Sequence, residues 1–217
     1  MSEPAPASAG AHWADLARVA PPLLVVVSGP SGVGKDALLQ AIRLSSHGAR
    51  MHFVVTATTR PKRAGERDGG DYHFLSEARF EALLAEDGFV EHALVYGYRY
   101  GVPRDEVETP LARGEDVIMR VDVQGVRHLR ERYPEAVKIF LAPPDLGSLE
   151  RRLRGRKSDG DEVVRRRLEV ARHEMDELPR FDYAIINRDG ELDQAVDAVL
   201  AVIIAEKHRV ARVLGRG

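Results

Sequence analysis

The chain has 217 residues, of which 44% are hydrophobic and 30% are charged, and its formal net charge is −2. This composition is typical of a globular protein with one well-buried domain, and the balance of charges gives no overall attraction to nucleic acid or to a membrane. The lack of cysteine excludes disulfides and thiolate metal sites, and a reducing compartment is the simplest expectation.

The two ends of the chain differ in composition from the rest. Residues 1–21 are rich in alanine, proline and serine and lack the basic start and apolar stretch of a signal peptide, so they predict a flexible leader. Residues 210–217 form a basic tail, and no apolar run reaches the roughly 20 residues that span a bilayer. We therefore expect residues 22–209 to form the domain of a cytoplasmic protein.

Short apolar runs alternate with helical patterns along most of the chain. The predicted strands are Leu23–Ser28, Phe53–Thr56, Val117–Val123, Ala136–Ala142 and Asp182–Asn187. Helical spacing begins at Asp36 and returns in two stripes, from Val164 to Leu178 before Pro179, and from Leu192 to Ile204. This alternation predicts an α/β fold with a parallel sheet covered on both faces, whose ligands lie beyond the carboxyl ends of the strands.

Two segments interrupt the alternation. Residues 60–110 are rich in glycine, arginine and tyrosine, and residues 154–161 are polar, glycine-rich and basic. Both segments predict excursions from the sheet that cover a site.

A glycine-rich loop joins the first predicted strand to the first helix. The phosphate-loop pattern Gly-x-x-x-x-Gly-Lys-Ser/Thr fits Gly29, Gly34 and Lys35. Backbone N–H groups of such a loop converge on an anion, the helix N-terminus adds partial positive charge, and the lysine contacts the β- and γ-phosphates. The candidate phosphate-binding residues are Gly29, Pro30, Ser31, Gly32, Val33, Gly34, Lys35 and Asp36.

The last position of the pattern holds Asp36, where a hydroxyl usually ligates Mg²⁺. A carboxylate also ligates Mg²⁺ and suits a helix N-terminus, although it repels phosphate when no metal lies between them. The substitution therefore predicts a metal-dependent nucleotide site rather than an inactive one.

Several motifs occur in the order and spacing of guanylate kinases, and the chain resembles that family from about Leu23 to about Arg209. The motifs are SGPSGVGKDALL, TATTRPKRAGERDGGDYHF, GFVEHALVYGYRYGVP, VDVQG, FLAPP, and RRLRGRK followed by RRRL. The resemblance implies transfer of the γ-phosphoryl group of ATP to GMP with Mg²⁺. It also implies a three-layer P-loop kinase core with a GMP-binding insert at about residues 57–112 and a lid at about residues 152–165.

The GMP-binding residues that the resemblance implies are Thr56, Arg60, Arg63, Tyr72, Glu91, Tyr100 and Asp122. Guanidinium groups bind phosphate oxygens bidentately, and the carboxylate of Glu91 accepts from both N1–H and the exocyclic amine of guanine, a pair that adenine does not offer. Composition alone favours a solvated surface for the basic loop and for Glu91. The spacing shared with the family favours a binding site instead.

The catalytic residues that the resemblance implies are Lys35 in the loop and Arg156 and Arg167 in the lid, whose charges offset those of the transferring group. The resemblance also places Asn187 near the adenine base. Asp36 and Asp122 are the implied Mg²⁺ ligands.

The other lid arginines have no implied role. We expect Arg152 and its neighbours to be solvated or paired with helix acids such as Glu162 and Glu169.

Two further positions depart from the family pattern. Arg120 stands where most members have an acid, two residues before Asp122, and Val102 stands where members have a hydroxyl that donates toward guanine. We hypothesise that the carboxylate has moved from the strand to Asp36, with Arg120 near Asp36 or a phosphate. A backbone N–H or Arg104 is a candidate to replace the missing contact with the base.

Two other functions fit part of the pattern. One is a non-catalytic binding module of the same fold, and the other is a kinase that acts on another phosphorylated acceptor, such as a ribose phosphate. The intact Lys35 and loop glycines argue against the first, and Glu91 with Tyr72 and Tyr100 argues against the second. The expected partners are GMP and ATP rather than nucleic acid or a membrane, and a homo-oligomer is left open.

Overall fold

The computed structural model of the protein describes residues 21–95, 97–155 and 160–213. Within these segments the β-strands form two sheets. The strands are β1 (Leu24–Ser28), β2 (Met51–Phe53), β3 (Ala57–Thr58), β4 (His73–Phe74), β5 (Phe89–Val95), β6 (Tyr98–Pro103), β7 (Asp116–Arg120), β8 (Val137–Ala142) and β9 (Tyr183–Ile186).

Helices connect most of these strands. They are α1 (Lys35–Leu44), α2 (Glu77–Ala85), α3 (Asp105–Ala112), α4 (Val123–Arg132), α5 (Leu146–Arg154), α6 (Asp161–Met175), α7 (Leu192–Lys207) and α8 (Val210–Val213). Short 3₁₀ turns occupy Gly48–Arg50 and Leu178–Arg180. None of the helices in the described segments is long and apolar enough to cross a bilayer.

The larger sheet confirms the predicted parallel arrangement. Its strand order is β2-β7-β1-β8-β9, and every neighbouring pair is parallel. Alternate residues of the fully buried β1 point to opposite faces, so Val25 and Val27 pack with α1 and α7, while Leu24 and Val26 pack with α3 and α4. The result is a three-layer α/β core with an apolar cluster on each face of the sheet.

The register of this sheet brings two chain segments together at its carboxyl edge. Val27 of β1 lies beside Arg120 of β7, and Ser28 lies beside Phe140 of β8. The glycine-rich loop leaves this edge directly after β1, next to the last residue of β7.

The smaller sheet lies in the first segment that interrupts the alternation. Its order is β4-β3-β6-β5, and its antiparallel β5–β6 pair sets Glu91 beside Val102. Helix α2 packs on this sheet through stacked rings of Phe80 and Phe89, whose centroids are 4.4 Å apart. The sequence did not predict α2, although Ser76 is a recognisable N-cap whose hydroxyl accepts from the Arg79 N–H.

Three predicted boundaries were wrong. The second strand is Met51–Phe53 rather than Phe53–Thr56, because the chain leaves the larger sheet after Phe53 to enter the smaller one. The strand predicted to reach Val123 ends at Arg120, since Asp122 has extended dihedral angles and acts as the N-cap of α4. Helix α6 ends at Met175, and the Leu178 end of its apolar stripe belongs to the 3₁₀ turn that contains Pro179.

Parts of the expected leader, lid and tail lie outside the described segments. They are residues 1–20, residues 156–159 with the candidate Arg156, and residues 214–217. The boundaries assigned to the insert, the lid and the termini stay predictions.

Candidate active site

The phosphate loop requires glycine at its two ends. Gly29 has a φ of 138°, and a Cβ atom there would lie 2.1 Å from the carbonyl oxygen of Leu141. Gly34 has a φ of 104° and acts as the N-cap of α1, where a Cβ atom would lie 2.6 Å from Nδ2 of Asn187. Both the left-handed backbone and the close neighbours exclude larger residues, so the loop is closely packed against β8 and the end of β9.

Lys35 begins helix α1 and folds its side chain back over the loop. Its Nζ atom donates to the carbonyl oxygens of Gly29 at 2.5 Å and Pro30 at 3.1 Å. The ammonium group therefore lies at the loop, where a nucleotide phosphate would bind.

Glu174 of α6 also reaches the loop, although no motif in the sequence identified it as a site residue. The backbone N–H of Ser31 donates to its Oε2 atom at 3.4 Å. Burial raises the pKa of Glu174, and the charge of Lys35 acts in the opposite direction. The sequence spacing could have indicated this contact. Glu174 lies two helical turns after Arg167, and residues at that spacing share a face of the helix.

Two side chains hold the loop from behind. The carbonyl oxygen of Val33 accepts from Nδ2 of Asn187 and from Nη1 of Arg152, each at 2.8 Å. Arg152 also donates to the Asn187 carbonyl oxygen and to Asp189, each at 2.7 Å. The expectation that Arg152 is solvated or paired with acids such as Glu162 was wrong, because α5 points it at the loop backbone. Asn187 is buried there, and its role near adenine stays a prediction.

A cavity of about 560 Å³ connects the loop to the smaller sheet. Loop residues on its wall include Ser31, Gly32, Gly34, Lys35 and Asp36. On the other side its wall includes Thr56, Tyr72, Glu91, Tyr100, Val102, Arg120 and Asp122. The structure thus brings most of the predicted donor-side and acceptor-side residues to one cavity.

Arg120 connects the two sides of this cavity. Its Nη1 atom forms an ion pair with Oδ1 of Asp36, and its Nη2 atom donates to the hydroxyl of Tyr72 at 2.9 Å. The predicted proximity of Arg120 and Asp36 is confirmed. Val27 pairs with Arg120 in the sheet, so the backbone of β7 fixes this position beside the loop.

The acceptor-side arginines lie in different environments. Arg60 is buried, donates to Glu66 at 2.7 Å, and lies with its guanidinium carbon 5.5 Å from the ring centroid of Tyr72. Arg63 is exposed, and its backbone N–H donates to the other oxygen of Glu66 at 2.7 Å. The hydrogen bond from Arg60 lowers the pKa of Glu66, so this carboxylate stays charged and ties the two arginines together.

Glu91 lies on β5 with its carboxyl group in the cavity wall. Burial, and to a lesser degree the charge of Asp122, raises its pKa to about 7. A Cβ atom at Gly125 of α4 would lie 2.9 Å from the Cγ and Cδ atoms of Glu91. The glycine of the VDVQG motif therefore leaves the space that the Glu91 carboxyl group occupies.

The suggestion that Arg104 contacts a base was wrong. Arg104 precedes α3 and donates through Nε to the carbonyl oxygen of Asp87 at 2.8 Å, and it pairs with Glu108 at 3.3 Å. These contacts hold it away from the cavity, whose wall does not include Arg104. Val102 is buried in the core but borders the cavity.

The lid arginines are partly described. Arg156 lies outside the described residues, and Arg167 is half-buried on α6. Arg154 pairs with Glu150 at 2.9 Å and with Asp161, which joins the end of α5 to the start of α6. The structure therefore leaves the catalytic roles of Arg156 and Arg167 as predictions.

The metal candidates are two carboxylates on the cavity wall. Among the described residues, no three histidine, aspartate or glutamate side chains converge on a point that could hold a metal ion. Asp36 and Asp122 nevertheless fit Mg²⁺ held mainly by phosphate oxygens and water, because one or two carboxylates suffice in such sites. Asp36 is 71% exposed, so its second oxygen is accessible even while Arg120 holds the first.

Comparisons with known proteins agree with this geometry. The family profile described as Guanylate kinase matches residues 22–206. The guanylate kinase of Carboxydothermus hydrogenoformans is 44% identical over 191 residues, which cover 88% of this chain and 92% of that protein. That of Symbiobacterium thermophilum is 45% identical over 190 residues, which cover 88% of each.

A solved structure supports the same assignment. The crystal structure of guanylate kinase from Anaplasma phagocytophilum aligns with a TM-score of 0.71 at 28% identity, covering 91% of this chain and 92% of that one. Its match extends over the core and the insert together. The chain belongs to the guanylate kinase family.

Proposed function

We propose that this protein transfers the γ-phosphoryl group of ATP to GMP, giving ADP and GDP. The observation that carries the proposal is the shared cavity, which has Lys35 and the phosphate loop on one side and Glu91, Tyr72 and Tyr100 on the other. Phosphoryl transfer requires two nucleotides with their phosphates in line, and one cavity with both sets of groups meets that requirement.

The donor side would stabilise charge on the phosphates of ATP. The loop N–H groups and the N-terminus of α1 provide partial positive charge, and Lys35 provides a full one. Arg156 and Arg167 are proposed to add charge from the lid in the transition state. Glu174 would leave the loop when phosphate binds, because both would accept from the same N–H of Ser31.

The acceptor side would read guanine and aim its phosphate. The Glu91 carboxylate accepts from N1–H and the exocyclic amine of guanine, and an adenine base would leave that buried group unpaired. Arg60, Arg63, Tyr72 and Tyr100 are proposed to hold the GMP phosphate, with Thr56 at the same wall. Since this phosphate is already anionic, transfer needs little general-base assistance.

Asp36 and Asp122 are the residues that would hold Mg²⁺ together with the phosphates of ATP. The ion would supply further charge neutralisation on the transferring group when bound.

The proposal is tested by measuring ADP release in a coupled assay with ATP and a panel of acceptors. We expect turnover with GMP and a loss of at least about 100-fold with AMP, UMP or ribose 5-phosphate, because each lacks the pair of donors that Glu91 accepts from. Lys35→Met is the control for phosphoryl transfer at this loop and should abolish turnover.

Each other outcome supports a different function. No turnover with any acceptor, while nucleotides still bind, would point to a binding module. Preferred turnover with ribose 5-phosphate would point to another kinase, and equal efficiency with AMP would contradict guanine recognition by Glu91. A cytoplasmic location and the oligomeric state stay predictions.

A further inference from the structure

Arg120 is a half-buried cation whose contacts lie on both sides of the cavity. Its side chain is 30% exposed, and the parallel pairing with Val27 fixes its backbone beside the phosphate loop. One guanidinium nitrogen contacts Asp36 in the first turn of α1, and another contacts the Tyr72 hydroxyl 48 positions away in sequence. This side chain is therefore a direct link between the large sheet, the loop helix and the insert.

Asp36 creates an electrostatic difficulty for the loop. A carboxylate at the start of α1 lies beside the loop that would bind anionic phosphate. Like charges in such proximity repel each other unless a cation screens them. The guanidinium of Arg120 offsets this charge at contact distance. The loop can thus accept phosphate before a metal ion screens the carboxylate.

Tyr72 receives a second constraint from the same group. The guanidinium carbons of Arg60 and Arg120 lie 5.5 Å and 5.7 Å from its ring centroid, within the range of cation–π contact. The hydrogen bond from Arg120 fixes the Tyr72 hydroxyl. The rings of Tyr72 and Tyr100 meet edge to face, with their centroids 6.0 Å apart. Arg120 thereby sets the position of a side chain on the acceptor wall.

We propose that Arg120 is a positioning residue with two functions: it neutralises Asp36 at the donor loop, and it holds Tyr72 at the acceptor site. The inference rests on the proposed function, and it adds a residue that couples the two nucleotide sites. A guanidinium has five N–H donors, so groups beyond those that contact Asp36 and Tyr72 are available to phosphate oxygens.

The test measures the dissociation constants of ADP and of GMP separately by calorimetry in EDTA. Arg120→Ala should weaken metal-free ADP binding about 10-fold or more, because Asp36 then repels the phosphates. Asp36→Ser combined with Arg120→Ala should restore ADP affinity to within about 3-fold of the unmodified protein, since the repelling charge is gone. Arg127→Ala, which removes an exposed arginine paired with Glu177, is the control for net charge.

Arg120→Lys separates the two functions. A lysine keeps the charge and should restore ADP binding, but one ammonium group does not reproduce the fork that contacts Asp36 and Tyr72 together. GMP binding should therefore stay about 10-fold or more weaker than in the unmodified protein, an effect in the range of a lost hydrogen bond to a charged group.

Several results would overturn the proposal. Affinities within twofold of the unmodified protein for Arg120→Ala would do so, as would additive effects of the Asp36 and Arg120 changes on ADP binding. Full recovery of GMP binding by Arg120→Lys would remove the acceptor-side function. If Arg120→Ala does not fold, as judged by its melting curve, the lysine variant and the double variant carry the same comparison. These binding ratios need no turnover, so they are independent of the assay that tests the proposed function.

Discussion

At the scale of single residues, Glu91 has two opposing requirements. The proposed recognition of guanine requires its carboxylate form, whereas burial in the cavity wall and the nearby charge of Asp122 favour the protonated form and raise its pKa to about 7. The free protein therefore favours the protonated form of this group more strongly than an exposed glutamate would. Binding of guanine supplies two donors that favour the charged form.

The first prediction concerns the pH dependence of GMP binding. Because the carboxylate is the binding form, we expect GMP affinity to fall as pH decreases through about 7. Glu91→Gln should weaken GMP binding about 10- to 100-fold at pH 8 and should flatten the part of the profile that Glu91 causes. Calorimetric titrations of both proteins from pH 6 to pH 8.5 measure this, and the variant corrects for titration of the GMP phosphate itself. Parallel profiles for the two proteins would contradict the assignment.

The same group affects stability with a definite sign. A carboxyl group whose pKa is raised by folding binds more protons in the native than in the unfolded state, so its contribution to stability decreases as pH rises from about 4.5 to about 7. The variant Glu91→Gln has no titrating group at this position, so its stability does not decrease with pH for this reason. Without nucleotide, we expect the melting temperature of the variant relative to the unmodified protein to increase between pH 5 and pH 8. A constant difference in melting temperature would contradict the raised pKa.

At the scale of secondary-structure elements, the first turn of α4 and strand β5 meet at Glu91. Asp122 occupies the N-cap position of the helix, and Gly125 provides the space for the Glu91 side chain. Glycine in a helix is less favourable than alanine by about 1 kcal/mol, so this position gives up helix stability for the position of a carboxyl group on another element.

We predict opposite effects of Gly125→Ala on stability and on substrate binding. The added methyl group meets the flexible end of Glu91 rather than backbone, so the fold should tolerate it and the melting temperature should stay equal or rise. The displaced carboxyl group should raise the KM for GMP about 10-fold and leave the KM for ATP unchanged. Gln124→Ala, on the exposed side of the same turn, is the matched control. Equal effects on both Michaelis constants, or none on GMP, would show that Gly125 does not position Glu91.

At the scale of the whole molecule, the cavity joins two sheets that also share an apolar cluster, in which Val90 and Val102 of the smaller sheet pack with strands of the larger one. The larger sheet has its core between helices on both faces, and the smaller sheet has its own cluster around Phe80 and Phe89. A polar contact between the two, that of Arg120 with Tyr72, lies at the cavity, whose wall includes both residues. Nucleotide binding should therefore stabilise the connection between the sheets as well as the site.

The expected stabilisation by bound nucleotide can be calculated from the ratio of ligand concentration to dissociation constant. GMP at 100 times its dissociation constant should stabilise the native state by about 2.7 kcal/mol, because it binds only the folded form. For a chain of 217 residues, this corresponds to a rise in melting temperature of about 5 to 10 °C. Scanning fluorimetry with GMP and with AMP at equal concentrations measures it, and we expect a much smaller shift with AMP. Equal shifts would contradict discrimination between the bases.

Features with a local cause could be predicted from the amino-acid sequence. Glycine spacing and Lys35 identified the phosphate loop, and the apolar runs identified the parallel sheet, because left-handed turns and buried strands restrict which residues fit. The family spacing identified Glu91, Tyr72 and Tyr100, which the structure places at one cavity. The end of β7 and the register of its neighbours could not be predicted in this way. The apolar composition continues beyond Arg120, but the strand ends there because Asp122 takes the N-cap position of α4.

Contacts between side chains that are distant in sequence depend on the packing of the folded chain. Arg152 was expected to be solvated or paired with helix acids, but it holds the loop through the Val33 carbonyl group. Arg104 contacts Asp87 rather than the cavity, and Glu174 reaches Ser31 from the far end of α6. Side-chain direction depends on how helices pack against the sheet, and no short motif contains that information. The same packing places Arg120 between Asp36 and Tyr72, and so turns a substitution at the end of a strand into a link between two nucleotide sites.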